Sequence, residues 1–99
     1  MTRTEFEYRV NDLLEHAQKV RNLRGASYAG LDPEEDAHGN FRRIAALTKR
    51  EPREIVMVYL AKHMDSIATI VTGGEDGGEP LLERIVDALN YLLFLGTIE

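Results

Sequence analysis

Four polar residues recur through an otherwise apolar segment near the end of the chain: Glu79, Glu83, Asp87 and Asn90, spaced four, four and three apart. Successive residues of a helix rotate by about 100°, so the four fall on one narrow stripe. Around them Leu81, Leu82, Ile85, Val86, Ala88, Leu89 and Tyr91 to Leu95 cover nearly every other direction. A helix this apolar is buried rather than laid on a surface. Carboxylates on a buried helix require partners, whether a metal, a cation, hydrogen-bond donors or water. Glu83 and Asp87, one turn apart, can share one Mg²⁺. The same stripe can equally be a thin solvated strip, or form salt bridges with Arg84 or Lys62.

A second constellation is Lys62-His63-Met64-Asp65-Ser66. Lys62, Asp65, Ser66 and Thr69 lie near one helical face, where a lysine suits phosphate and an aspartate suits a metal. The plainer alternative is a Lys62–Asp65 pair, or a reach from either to charges on the last helix. His63 points elsewhere and reads as a packed or exposed histidine. The third is Tyr28 to Phe41, which holds an aromatic, a proline-directed turn, acidic residues, His38, Gly39 and Asn40. Loops of this composition commonly carry function. Asn40 either caps a helix or hydrogen-bonds a base.

Four helices must position these groups. The first is expected from about Glu5 to Leu23, with Thr2 and Glu5 as a capping box and Phe6, Val10, Leu13, Leu14, Ala17 and Val20 at helical spacing. Arg24-Gly25 is expected to end it, and a loop to span 25–31. The second starts at Asp32-Pro33 or near Asp36, and buries Phe41, Ile44, Ala45 and Leu47. The third opens at Glu51-Pro52, with proline at the first position, and runs to about Val71. The acidic loop Gly73 to Gly78 leads to Glu79-Pro80, which opens the fourth. β-Branched residues at Ile55–Tyr59 and Ile67–Thr72 permit short strands instead, but length and capping favour helix.

The chain is a single domain of 99 residues with a formal net charge of −5 and 43% apolar residues. Its basic residues are scattered, so no nucleic acid partner is expected. There is no cysteine, which excludes disulfides, thiolate catalysis and zinc–thiolate sites. No signal peptide is visible in MTRTEFEYRV and no apolar run is long enough for a membrane span. A cytoplasmic protein, in the host cell if phage-encoded, is expected. The third and fourth helices carry more apolar surface than a monomer of this size hides, so a homodimer or tetramer is expected.

A tyrosine-containing loop, then Asp36-Ala37-His38-Gly39-Asn40-Phe41, then Lys62-His63-Met64-Asp65-Ser66-Ile67, then Glu79-x-x-x-Glu83-x-x-x-Asp87-x-x-Asn90-Tyr91 follow in that order. Over about residues 24–95 this resembles small phage and prophage proteins related to the MazG-like, all-α nucleotide pyrophosphohydrolases, among them nucleotide-modification-associated proteins. The resemblance implies an oligomeric four-helix bundle with a nucleotide pocket between helices or subunits. In catalytic members, a Glu-Glu-x-x-Glu box and a Glu-x-x-Asp box hold Mg²⁺, which activates water for attack between the α- and β-phosphates. This chain departs from both. Glu34-Glu35 lacks the third glutamate, and Glu83-x-x-x-Asp87 has one residue too many.

The leading expectation is therefore a protein that binds a phosphorylated nucleotide or nucleotide-like signal with little or no turnover. Lys62, Asn40, Tyr28, His38, Ser66 and Asn90 are its candidate ligand contacts, and Asp65, Glu83 and Asp87 its candidate Mg²⁺ ligands. A Mg²⁺-dependent nucleoside triphosphate pyrophosphohydrolase is the second expectation. A non-catalytic module that binds another protein is the third.

Overall fold

The computed structural model describes the backbone of residues 1–29, 34–75, 77–78 and 80–99, and for 24–29 the backbone alone. Among these residues there are four helices and no strand: α1 (Arg3–Ala29), α2 (Gly39–Thr48), α3 (Pro52–Val71) and α4 (Leu81–Thr97). The all-α expectation holds, and the two segments rich in β-branched residues are helical. Among the described residues no helix is long and apolar enough to cross a membrane.

Local chemistry accounts for most of the helix ends. At the start of α1 the Glu5 N–H donates to Thr2 Oγ1 at 3.1 Å, and the Thr2 amide N donates to Glu5 Oε2 at 3.3 Å. This is the reciprocal box expected from the sequence. α1 does not end at Arg24-Gly25: it continues to Ala29, so the expected loop over 25–31 is corrected across its first five residues. A glycine inside a helix costs about 1 kcal/mol relative to alanine but removes no hydrogen bond, so it weakens a helix without stopping it. The candidate start at Asp32-Pro33 lies outside the described residues. The alternative start near Asp36 is also corrected, because α2 begins at Gly39. Asp36 instead builds a turn: its Oδ1 accepts the His38 N–H at 3.0 Å, and its carbonyl accepts the Gly39 N–H at 3.1 Å. An aspartate that bonds its own following backbone competes with helix in this way.

α2 stops at Lys49, which takes the left-handed conformation (φ 56°) while its N–H reaches the Ala45 carbonyl. Pro52 sits in the first turn of α3 after an extended Glu51, as expected. Before α4 the proline is one place further out: Pro80 is extended at the N-cap, and Leu81 is the first helical residue. Glu79 lies outside the described residues.

α3 and α4 form the centre as an antiparallel pair, since His63 meets Asp87 while Tyr59 meets Tyr91. α2 lies on α3 and reaches α4 through Phe41, whose ring centroid is 5.3 Å from that of Phe94. Phe41, Ala45, Ile55, Val56 and Ile98 are buried together, with Ile44, Tyr59, Tyr91, Phe94 and Leu95 packed around them. Leu47, expected in this face, is instead 84% exposed. It lies about 200° around α2 from the buried Ala45 of the same turn, by the ~100° step per residue, and so faces away from α3. α1 lies against α4, with Ala17 only 1% exposed. Its first turns project beyond that contact. The radius of gyration is 15.2 Å, against about 13 Å for an ordinary compact domain of this length.

The core separates side chains that the sequence places on one continuous apolar surface. Phe94 packs in the aromatic cluster, whereas Leu92 is 50% exposed. Phe41→Ala should cost about 3 kcal/mol, the scale for truncating a buried aromatic. Leu92→Ala should change the stability of the isolated chain by about 0.5 kcal/mol or less. Urea unfolding at low protein concentration tests the pair. Equal losses would show that the cluster is not the core.

Candidate functional site

α4 is apolar enough to be buried from several sides, and its polar stripe meets a partner at each described step. At the first, Glu83 Oε1 lies 3.1 Å from His16 Nε2 of α1, with both side chains near half exposed. One turn on, Asp87 is 7% exposed and its Oδ2 lies 3.8 Å from His63 Nδ1 of α3. At the last, Asn90 is 4% exposed. Its Oδ1 accepts from Arg21 at 2.8 Å and its Nδ2 donates to the Ala17 carbonyl at 3.1 Å. Ala17 carries only a methyl, which lets α1 approach closely enough for its backbone to be reached.

His63 is packed, as the sequence suggests. Its ring stacks on Tyr91 at 5.0 Å and 23°, and Tyr91 stacks in turn on Tyr59 at 5.7 Å and 6°. Asp65 is two residues away, about 200° around the helix, and is exposed. The α3 residue that meets Asp87 is therefore His63 and not Asp65. Among the described residues no three His, Asp or Glu side chains form a group able to hold a metal ion. Asp65, Glu83 and Asp87 do not come together as one ligand set: each has a different neighbourhood.

An open cleft of about 350 Å³ lies beside this line, lined by Tyr59, Lys62, His63, Asp65, Ser66 and Arg84. Two of the expected ligand contacts, Lys62 and Ser66, meet here with Asp65. Lys62 is exposed, with Nζ 6.0 Å from the centre of the Tyr59 ring. Lys62 and Arg84 bring two cationic side chains to a cleft wall that also carries the carboxylate of Asp65. Such a site can hold an oxyanion by charge-assisted hydrogen bonds, with Ser66 as a further donor.

The other expected contacts lie elsewhere. His38 and Asn40 stand at the start of α2. His38 Nε2 is 2.9 Å from Thr97 Oγ1 and its ring meets Phe94 edge-on, while Asn40 Oδ1 accepts from Arg43 at 3.3 Å. Neither lines the cleft, and Asn40 sits inside the first turn rather than capping it. Asn90 is committed to α1. The Tyr28 side chain lies outside the described residues. Sequence reasoning missed Tyr59, His16 and Arg21, and named Arg84 only as a salt-bridge partner of the stripe. His16 and Arg21 flank Ala17 on the face of α1 that carries Leu13 and Val20, a position that helical spacing alone reveals.

No family model matches the chain, and neither does any curated protein or solved structure.

Two experiments probe these contacts. Asn90→Ala removes the acceptor of the Arg21 guanidinium and the second donor to the Ala17 carbonyl, and should cost about 2 kcal/mol. Glu83→Gln, at a half-exposed pair, should cost about 1 kcal/mol or less. Chemical denaturation at neutral pH compares them, and a silent Asn90→Ala would disprove the buried linkage.

The second concerns Asp36. The His38 backbone N–H, aided by the Arg42 guanidinium at 2.9 Å, holds the Asp36 carboxyl below its ordinary value, which is about 3.9. The ionised form is the one favoured by folding. Its contribution is present above that ordinary value and fades as pH falls through the lower folded value. Carboxyl NMR titration should show this depressed midpoint, and Arg42→Ala should raise it. An unmoved midpoint would leave the His38 amide as the whole cause.

Proposed function

We propose that the chain binds a phosphorylated nucleotide or nucleotide-like signal in the α3–α4 cleft, with little or no turnover. The observation that carries this reading is the convergence of Lys62 and Arg84 on one open cleft of an otherwise acidic protein, beside Ser66 and the Tyr59 ring. Guanidinium and ammonium groups complement phosphate oxygens, the first as a planar fork and the second as a mobile point charge. Tyr59 offers an aromatic edge for a base or another planar group. Phage origin and a MazG-like relationship belong to this proposal and rest on the order of the sequence motifs.

The dispersal of the carboxylates favours binding over hydrolysis. A hydrolytic centre needs metal charge, an activated water and a base arranged around one phosphate. Here Glu83 faces His16 and Asp87 faces His63, which leaves Asp65 as the carboxylate on the cleft wall. Magnesium enters this reading as the companion of a bound phosphate, with Asp65 as its proposed carboxylate ligand.

Calorimetric titration with nucleoside mono-, di- and triphosphates, each with and without Mg²⁺, tests the proposal. At least one should bind, and Lys62→Ala should weaken it by about tenfold, or about 1.4 kcal/mol. Arg84→Gln should do the same. Absence of binding by all of them, or binding indifferent to both variants, would overturn the proposal. Steady pyrophosphate release that Asp65→Ala abolishes would replace it with the hydrolase reading.

A further inference from the structure

His63 stands between the α3–α4 cleft and a buried carboxylate. Its ring lines the cleft beside Lys62 and Arg84, whereas Asp87, 3.8 Å from His63 Nδ1, is not part of the cleft wall. Both side chains are largely withdrawn from solvent, at 15% and 10% exposed. The stack on Tyr91, with Tyr59 stacked beyond it, fixes the plane of the imidazole. A carboxylate beside an imidazole favours its protonated form, so Asp87 is placed to support a third cation at the cleft. Lys62 and Arg84 oppose that charge while the cleft is empty. A bound phosphate reverses the balance, because its oxygens attract all three groups. Among the described residues, the other titratable groups near His63 are Tyr59 and Tyr91, Asp65 and Glu83. Asp65 lies about 200° further round α3, and Glu83 is turned to His16 of α1.

We infer that a phosphate in this cleft is held by Lys62, Arg84 and the His63 imidazolium together, with His63 gaining its proton as the phosphate binds and Asp87 positioning it. The inference rests on the nucleotide reading and narrows it to one class of ligand, a terminal phosphate monoester. Such a group carries two negative charges above its ordinary second pKa of about 6, which three cationic side chains match. A phosphodiester carries one charge and matches them less well. At pH 7.5 an ordinary imidazole, which titrates near 6.5, is mostly neutral, so the proton comes from solvent. Proton uptake on binding makes affinity fall as pH rises.

Calorimetry at pH 7.5 with the 5′-mono-, di- and triphosphates of adenosine, guanosine, cytidine and uridine, in phosphate-free buffers of differing ionisation enthalpy, counts that proton. At least one nucleotide should bind with uptake of about half a proton or more. It should bind about tenfold or more tightly than the 3′,5′-cyclic monophosphate of the same nucleoside. These two measurements need only the intact chain. His63→Gln and Asp87→Asn, each checked for folding by circular dichroism, should abolish the uptake. Asp87→Asn preserves the side chain's shape, so its effect reports charge and not packing. Binding without proton uptake, uptake that survives either variant, or equal affinity for the cyclic diester would overturn the inference and leave the Lys62–Arg84 reading in place. Binding of none of these nucleotides would overturn both.

Discussion

The contact on which most of the structure depends is the stacking of Tyr91 against α3. Its ring touches Tyr59 and His63 on α3, Phe41 on α2 and Phe94 on its own helix. One side chain thus joins three helices. The pairing is aromatic in both senses that matter: it buries large apolar area, and its offset and edge geometries fix orientation. Because Tyr59 and His63 are one turn apart on α3, their contact with Tyr91 also sets the axial register of α3 on α4. That register places Arg84 across the cleft from Lys62 and Ser66. Sliding α4 by one turn would separate the two cations and bring Asp87 away from His63.

The second constraint is the polar line through α4. Burial of α4 on several sides would leave Asp87 and Asn90 as costly orphans if each neighbour were apolar. Instead, each neighbouring helix supplies a group of matching chemistry: histidines for the two carboxylates, an arginine and a backbone carbonyl for the amide. These contacts are less valuable as added stability than as a filter on geometry. A buried polar pair that is broken costs far more than it contributes when intact. Asn90 therefore fixes where α1 crosses α4, and the crossing decides how much of α1 is left projecting.

Much of this was legible in residue order. The capping box at Thr2 and Glu5, proline in the first turn of α3, the helical period of Phe6 to Val20 and the buried character of α4 all follow from local chemistry. What escaped was set by competition or by tertiary reach. Gly25 does not end α1, because one missing methyl is a small cost against a hydrogen-bonded turn. Asp36 does not start α2, because its carboxylate bonds the His38 amide first. The Asp87 stripe read correctly as needing partners, but His16 and Arg21 lie some seventy positions away in sequence. Helical spacing puts His16 and Arg21 beside the apolar face of α1, but nothing local says which residues of α4 they meet. Likewise Lys62 and Ser66 were visible as one face of a helix, while Arg84 became their neighbour only through the α3–α4 register.

The α3–α4 cleft and the α1 groove, which is lined by Arg9, Asp12, Leu13, His16 and Leu82, differ in character. The α3–α4 cleft lies at the side of a tightly packed antiparallel pair, so its walls are held by the aromatic stack and its polar groups point out from a rigid base. A rigid base suits a small ligand, since little backbone order is lost on binding. The α1 groove lies where two helices diverge. Its walls are apolar, its charges alternate in sign, and one wall is a helix that extends beyond its own support. The bonds of Asn90 to Arg21 and to the Ala17 carbonyl thus set where α1 lies on α4, while the stack of Tyr91 on Tyr59 and His63 holds α3 against α4 beside the open cleft.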